Sequence, residues 1–272
     1  VNGLEPLAQE IIVNPGVFPL GMFINSVQLW FKKVDDELPV TIQIRPMVNG
    51  SPHPSVVVPF STTTLVPTVT NNGPNLSGPT RFQFSSPVFL APGKYAICLI
   101  SNSSDHQIFR SVVGESLLDV SGNIDTTEPP YTLNNSGLGI RLGSLYLPLN
   151  NGSRVRRTNE VLCMAIDRCS FFGASGGAES RTLRFIPDTN LDTSKAGQII
   201  NFTCNDQLFT SQTIRPLFTF SAGVAGNRSN IQPNKDIELD QRLNVTNSTD
   251  LAIDVEFNAS GSNQVSPVID TE

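Results

Sequence analysis

Two histidines are the only imidazole groups that this chain could use as general bases in hydrolysis or group transfer. His53 lies between two prolines in SPHPS, and His106 follows Asn-Ser-Ser-Asp in a segment with the composition of a hairpin loop. Neither stands beside a nucleophile motif such as Gly-x-Ser-x-Gly. Both are therefore predicted to be surface loop residues. No catalytic residue is identified, and the chain is predicted not to be an enzyme.

The densest run of carboxylates is Asp35, Asp36 and Glu37, between two strand-like segments. A calcium loop needs oxygen ligands at spaced positions around a tight glycine turn, and VDDELP lacks that spacing. Solvated hairpin charges are predicted here rather than a metal site. Glycoside hydrolysis needs two carboxylates that face each other across a cleft, and spacing in a β-protein sequence neither indicates nor excludes such a pair.

The cysteines provide no metal site either. They form no Cys-x-x-Cys pair and have no histidine at ligand spacing. Cys98 and Cys163 fall in apolar, strand-like segments, so buried free thiols and a reducing compartment are predicted. The glycines at 173, 176 and 177 lack a following Lys-Ser/Thr, which excludes a phosphate loop. No cofactor is predicted.

The remaining candidates for a functional surface are basic and aromatic. Arg154, Arg156 and Arg157 follow an Asn-Gly turn and form the densest positive group in a chain of net charge −6. They are predicted to be exposed, either as a solvated hairpin or as a docking site for an acidic neighbour. Trp30, the single tryptophan, is the other candidate docking residue. A sequence pI near 5.0 argues against nucleic-acid binding, and no apolar run is long enough to span a bilayer.

These side chains must be positioned by strands, because alternation with period two dominates the sequence. In INSVQLWFKK, one predicted face carries Val27, Leu29 and Phe31, and the other carries Ser26, Gln28, Trp30 and Lys32. Gly, Pro and Asn clusters separate many short strands of this kind, which is typical of antiparallel β-sandwiches and jelly rolls. The predicted fold class is therefore all-β.

Two domains are predicted from the change in composition around DRCSFFGASGGAE. Residues 1–168 form a jelly-roll-like β-sandwich, residues 169–179 a flexible linker, and residues 180–272 a smaller sandwich, immunoglobulin-like in architecture and incomplete at its end. The chain starts without Met and stops in polar sequence, so we expect it to be a piece of a longer polypeptide.

The first domain resembles a module of structural proteins from contractile-tailed phages, of the myovirus and cyanophage-like type. In that module PLAQTF leads to GVFITSVDLFF and then to LPVTVQIRPVVNGYPS. The corresponding segments here are PLAQEI, GMFINSVQLWF and LPVTIQIRPMVNGSP. The resemblance continues through residues 80–115, 129–152 and 162–171. It departs from the family at Arg154–Arg157, where relatives often carry a tryptophan.

The resemblance implies a virion structural protein, either a baseplate wedge component or a piece that attaches the tail fibre. It implies assembly in the host cytoplasm, a place in the phage tail or baseplate, and a role near host attachment. The implied partners are other virion tail and baseplate proteins in a multi-copy symmetric assembly, with neither nucleic acid nor membrane.

Two other functions stay open at the level of the sequence. A carbohydrate-binding module contacting host surface glycans would need an exposed aromatic side chain, for which Trp30 is the best candidate. A secreted depolymerase is the third class, and recurrent Asn-x-Ser/Thr sequences fit a glycosylated secreted protein.

Overall fold

All regular elements in the described part of this chain are β-strands, so the predicted all-β class is confirmed. The computed structural model describes residues 6–67, 78–116, 140–148, 154–171, 181–186, 197–199, 201–203, 205–207, 216–222, 227–240, 242–245, 251–257, 265 and 268–270. Within these ranges, no helix reaches the length and apolar character that crossing a bilayer requires.

The chain divides into two compact units, Val1–Cys169 and Ser170–Glu272, each considered by itself below. The predicted linker starts at residue 169, and most of it, residues 172–179, lies outside the described residues. The strands of the first unit are β1 Leu7–Val13, β2 Met22–Leu29, β3 Phe31–Lys33, β4 Val40–Val48, β5 Ser51–Pro52, β6 Thr63–Leu65, β7 Thr80–Leu90, β8 Gly93–Ser101, β9 Gln107–Ile108, β10 Arg110–Val112, β11 Ile140–Pro148, β12 Arg154–Arg157, β13 Glu160–Leu162 and β14 Met164–Arg168.

The largest sheet of the first unit has seven strands in the order β12-β11-β1-β8-β4-β5, with β6 also paired to β4. Its pairs are antiparallel, and β1 lies between two strands that are distant in sequence: Ala8 is opposite Tyr146 of β11 and Cys98 of β8. Within the described residues, β12 ends the sheet on one side, and β5 with β6 ends it on the other.

A three-stranded antiparallel sheet, β14-β2-β7, supplies the other wall of the core. Two further short pairs are β10-β13 and β3-β9. In the chain, β3 directly follows β2, and β13 directly precedes β14. Buried residues of both sheets join in one apolar cluster, which contains Ile11, Ile42 and Ile97 from the larger sheet and Val27 and Phe82 from the smaller one. Burial of these alternating side chains is the main force that holds the two sheets together.

The alternation predicted for β2 is largely correct. Val27 and Leu29 are fully buried and Phe31 is 8% exposed, whereas Gln28 and Trp30 are partly exposed. Ser26 is the exception, because it belongs to the polar face by spacing but is fully buried. Its hydroxyl is hydrogen-bonded to the side chains of Asp167 and Arg81, which come from the two neighbouring strands. Sequence spacing does not show these contacts.

The second unit contains shorter antiparallel pieces, of which the largest is a four-stranded sheet in the order β15-β21-β18-β19. Phe218 and Val255 face each other across β18 and β21 and are buried. Phe202 packs edge-on against Phe218 at 5.0 Å between ring centroids. The strands are β15 Arg181–Phe185, β16 Gly197–Ile199, β17 Asn205–Gln207, β18 Pro216–Ala222, β19 Asn227–Ile231, β20 Leu243–Val245, β21 Leu251–Phe257 and β22 Val268–Asp270.

Candidate functional site

The predicted arginine group forms a strand at one side of the seven-stranded sheet. Arg154, Arg156 and Arg157 all belong to β12, and we call this strand the arginine edge. It pairs with β11 so that Arg154 is opposite Pro148, Arg156 opposite Tyr146 and Arg157 opposite Leu145. Because side chains alternate along a strand, Arg156 and Arg157 leave opposite faces of the sheet. Arg156 and Arg157, which are both exposed, therefore do not form one flat positive patch.

A polar network connects Arg156 of the arginine edge with Ser144, Glu10 and Lys94 of neighbouring strands. Arg156 donates from Nε to Ser144 Oγ at 2.9 Å, and the Ser144 amide donates to Glu10 Oε2 at 3.0 Å. Lys94 Nζ lies 3.4 Å from Glu10 Oε1. Glu10 is only 4% exposed, so its polar contacts come from these neighbours and hardly from water. Gly143 leaves the space for this carboxylate, since a Cβ there would lie 2.6 Å from it.

Trp30 lies between β2 and β3. Its amide donates to the Cys163 carbonyl at 3.4 Å, its carbonyl accepts from the Phe109 amide at 3.0 Å, and the Cys163 amide donates to the Phe109 carbonyl. Its ring is partly exposed. Trp30 directly follows β2 of the three-stranded sheet, whereas the arginine edge belongs to the seven-stranded sheet, and the structure does not join them into one site.

A polar cluster that the sequence analysis missed lies on the outer side of the three-stranded sheet. We call Ser26, Gln28, Arg81 and Asp167 the polar face. Gln28 Nε2 donates to both Asp167 carboxylate oxygens, at 3.1 and 2.8 Å, and Ser26 Oγ donates to the same carboxylate. Arg81 donates from Nε to Ser26 Oγ at 2.9 Å and approaches Asp167 at 3.3 Å. Trp30 directly follows β2, the strand that carries Ser26 and Gln28.

The carboxylate at the centre of the polar face is held in its charged form. The hydrogen bond from Ser26, then that from Gln28, and the charge of Arg81 lower the pKa of Asp167, against an opposing effect of burial. Arg81 and Asp167 both keep part of their surface in solvent, with 52% and 33% of their side chains exposed. This cluster can therefore offer a planar guanidinium and an amide to a polar ligand.

The two histidines form structural hydrogen bonds in loops. His53 Nδ1 accepts from the amides of Ser55 and Val56, and so shapes a turn. His106 Nδ1 accepts from the Asp35 amide at 3.2 Å, while its Nε2 contacts the Leu38 carbonyl at 3.0 Å. These bonds occupy both ring nitrogens of His106 within the loop and give the ring a local structural role.

The carboxylate run forms a capped loop. Asp35 accepts hydrogen bonds from Ser103 Oγ and from the amides of Leu38 and Glu37, which together lower its pKa to about 2. Asp36 and Glu37 are exposed. Among the described residues, no three His, Cys, Asp or Glu side chains are placed to hold a metal ion.

The described cysteines are free thiols. Cys98 is buried, and Cys163 and Cys169 are partly buried. Burial raises the pKa of both the Cys163 and the Cys169 thiol, so neither is activated as a nucleophile. Cys204 and the glycines at 173, 176 and 177 lie outside the described residues.

Comparison of the chain with protein-family models, with curated proteins and with solved structures gave no match.

Proposed function

We propose that this chain is a structural component of a contractile phage tail, in the baseplate wedge or at the tail-fibre attachment, where it acts as a rigid docking scaffold. In this proposal the first unit is a jelly-roll-like module and the second is a smaller, immunoglobulin-like sandwich. The protein is not an enzyme, needs no cofactor, and is built into the virion in the host cytoplasm as one of several symmetric copies.

The observation that carries the proposal is the phage-tail motif series spread over residues 6–171. Within the described residues, several of those motifs lie on strands of the two sheets that enclose the core of the first unit. In particular, VTIQIR lies within β4 and KYAICLIS lies within β8, which are hydrogen-bonded neighbours in the larger sheet. A well-packed core of this kind keeps its surface geometry fixed, which is what a spacer between virion proteins requires.

The arginine edge supports docking to an acidic neighbour. Arg156 and Arg157 are exposed, and β12 ends its sheet within the described residues. An outer strand has backbone groups that a partner strand can use, and the arginine charges give such a contact orientation and speed. The remainder of the chain is acidic, so an acidic partner is held by this edge and repelled elsewhere.

The test is the location and assembly of the protein in virions. Antibodies against the chain should label the tail end of purified virions in electron microscopy, and tail preparations should contain it in several copies. Arg157→Glu should reduce its incorporation into tails, whereas Lys32→Glu, an exposed change of the same charge outside the arginine edge, should not. Virions that lack the chain would refute the proposal.

A second candidate is a carbohydrate-binding module for host surface glycans, favoured by one observation. The polar face displays the Arg81 guanidinium and the Gln28 amide on the strand segment that continues to Trp30. Aromatic rings combined with planar polar groups bind sugars well.

The glycan candidate is tested with a glycan array and the isolated chain. If it is correct, binding is present in the unchanged chain, and both Trp30→Ala and Arg81→Ala abolish it. Val17→Ala, which shortens an exposed apolar side chain outside the polar face, is the matched control and should retain binding. An array without signal removes this candidate and leaves the docking proposal unaffected.

A further inference from the structure

The open side of the arginine edge has no partner strand among the described residues. β12 pairs with β11 on one side, and on its other side it ends the seven-stranded sheet. A strand at the end of a sheet keeps amide and carbonyl groups that a further strand can use. Arg156 and Arg157 both have exposed side chains at this edge.

These two arginines leave opposite faces of the sheet. Arg156 lies opposite Tyr146, on the face where it donates to Ser144 Oγ at 2.9 Å. Arg157 lies opposite Leu145, a residue of the buried apolar cluster, and therefore leaves the face that carries the core. A flat acidic surface can meet only one of the two guanidinium groups. An added β-strand can meet both, because its own side chains alternate in the same way.

Both guanidinium groups keep charge and donors for a partner. The ion pairs formed within the described part of the chain include neither Arg156 nor Arg157. The bond to Ser144 uses only the Nε donor of Arg156, so its terminal N–H groups remain for a carboxylate. Planar guanidinium groups bind carboxylates in two-bonded geometry, which makes an acidic side chain the fitting counterpart of each.

The sign of the charge distinguishes this edge from one that only prevents association. Charged side chains commonly protect a sheet edge because similar edges then repel each other. This chain carries a net charge of −6, so a basic edge attracts acidic chains and does not keep them away. An acidic partner is repelled by most of the remaining surface and is thereby directed to β12.

The register of β12 specifies the order of side chains in such a partner. The strand pairs of the seven-stranded sheet are antiparallel, so we expect an added strand to run antiparallel to β12. Its successive residues then face Arg157, Arg156 and Val155. Val155 is partly buried and shares the face of Arg157. The matching order is therefore acidic, acidic, apolar.

We propose that the arginine edge accepts an extended acidic segment of a neighbouring protein as an additional strand, in which two consecutive Asp or Glu residues precede an apolar one. This rests on the proposed function, since it states how the acidic neighbour of the scaffold is bound. It is tested on the isolated chain with a synthetic peptide. Absence of peptide binding therefore leaves the virion assignment standing, and absence of the chain from virions leaves the peptide result standing.

The probe is the peptide TVTEEVTVT, acetylated and amidated, whose glutamates and following valine are placed to face Arg157, Arg156 and Val155. Binding to the full chain is measured by fluorescence anisotropy of the labelled peptide. We expect a dissociation constant below about 1 mM that rises with salt, because salt screens the ion pairs. Amide hydrogen exchange of β12 should become slower in the complex, because added ladder bonds protect it.

Two matched peptides separate strand addition from attraction between charges. TVTKKVTVT reverses the charge, and TVPEEPTVT keeps both glutamates but loses amides that the ladder needs. We expect each to bind at least about 10-fold more weakly than TVTEEVTVT. Equal binding of TVPEEPTVT would show contact by charge alone and would overturn the proposal, as would no binding of TVTEEVTVT up to about 1 mM.

Variants of the chain locate the contact. Arg156→Ala and Arg157→Ala each remove one cross-strand ion pair and should raise the dissociation constant by about 2–5-fold. Arg157→Glu should prefer TVTKEVTVT, whose lysine faces the new carboxylate, over TVTEEVTVT. Lys32→Ala removes an exposed positive charge outside the arginine edge and should leave the constant unchanged. An Arg157→Glu chain that still prefers TVTEEVTVT contradicts the proposed register and overturns the proposal.

Discussion

Replacing the buried hydroxyl of Ser61 should destabilise the first unit by a predictable amount. Ser61→Ala removes the acceptor of the Ile44 amide, at 3.1 Å, and the donor to the Val58 carbonyl, at 2.7 Å. Ile44 is fully buried, and its carbonyl accepts from the Val58 amide at 2.8 Å, in a loop and not in a regular strand. The amide hydrogen of Ile44 is therefore left in a dry environment without its acceptor.

The magnitude follows from what each lost bond leaves behind. A buried amide without an acceptor costs about 1–3 kcal/mol. The Val58 carbonyl keeps its bond from the Ser61 amide, so losing the hydroxyl there adds only about 0.5–1 kcal/mol. We therefore expect the free energy of unfolding to fall by about 2–3 kcal/mol. Thr62→Ala, an exposed change of similar size next in the chain, should cost under about 0.5 kcal/mol.

Trp30 is the single tryptophan and lies in the first unit, so its fluorescence reports the unfolding of that unit in the full chain. With a urea slope of about 2 kcal/mol per M, Ser61→Ala should lower the midpoint by about 1 M at an unchanged slope. A shift equal to that of Thr62→Ala would show that the Ile44 amide finds another acceptor.

Three further outcomes are expected. The lowered pKa of Asp35, about 2 against an ordinary 3.8, means that its contribution to stability is present above about pH 5 and is lost as the pH falls toward 2. Between about pH 5 and pH 2, the urea midpoint should therefore fall less steeply with pH for Asp35→Asn than for the unchanged chain. Gly143→Ala places a Cβ 2.6 Å from the Glu10 carboxylate, so we expect a loss of about 1–3 kcal/mol by the same fluorescence assay. Arg184→Ala breaks an exposed bidentate pair with Asp254, both bonds being 2.8 Å, and should cost below about 1 kcal/mol in unfolding followed by circular dichroism.

Local patterns predicted the fold class, but they could not predict which strands pair. Alternation in VTIQIR placed Val40, Ile42 and Ile44 on one face, and all three are buried. The position of β1 between β8 and β11 depends instead on contacts across roughly 90 and 130 residues, for which a single sequence has no local signal. The burial of Ser26 was missed for this reason, since its partner Asp167 comes from a strand far along the chain.

The candidate surfaces were predicted as residue types and not as geometry. The run Arg154–Arg157 was recognisable as a basic segment, yet the pleat of a strand sends Arg156 and Arg157 to opposite faces. The Ser61 amide donates to the Val58 carbonyl and closes a turn in which Phe60 has a φ of 62°. This turn was missed because phenylalanine is not a turn signal at a left-handed position, and Pro59 in the second turn position was the only local indication.

The two sides of the seven-stranded sheet differ in chemistry, and this difference constrains how the protein can be assembled. On one side β12 presents exposed arginines, and on the other the segment around Phe60 presents apolar side chains without a charge. An acidic surface that pairs with the arginines gains nothing from an uncharged ring, so charge complementarity acts only on the β12 side.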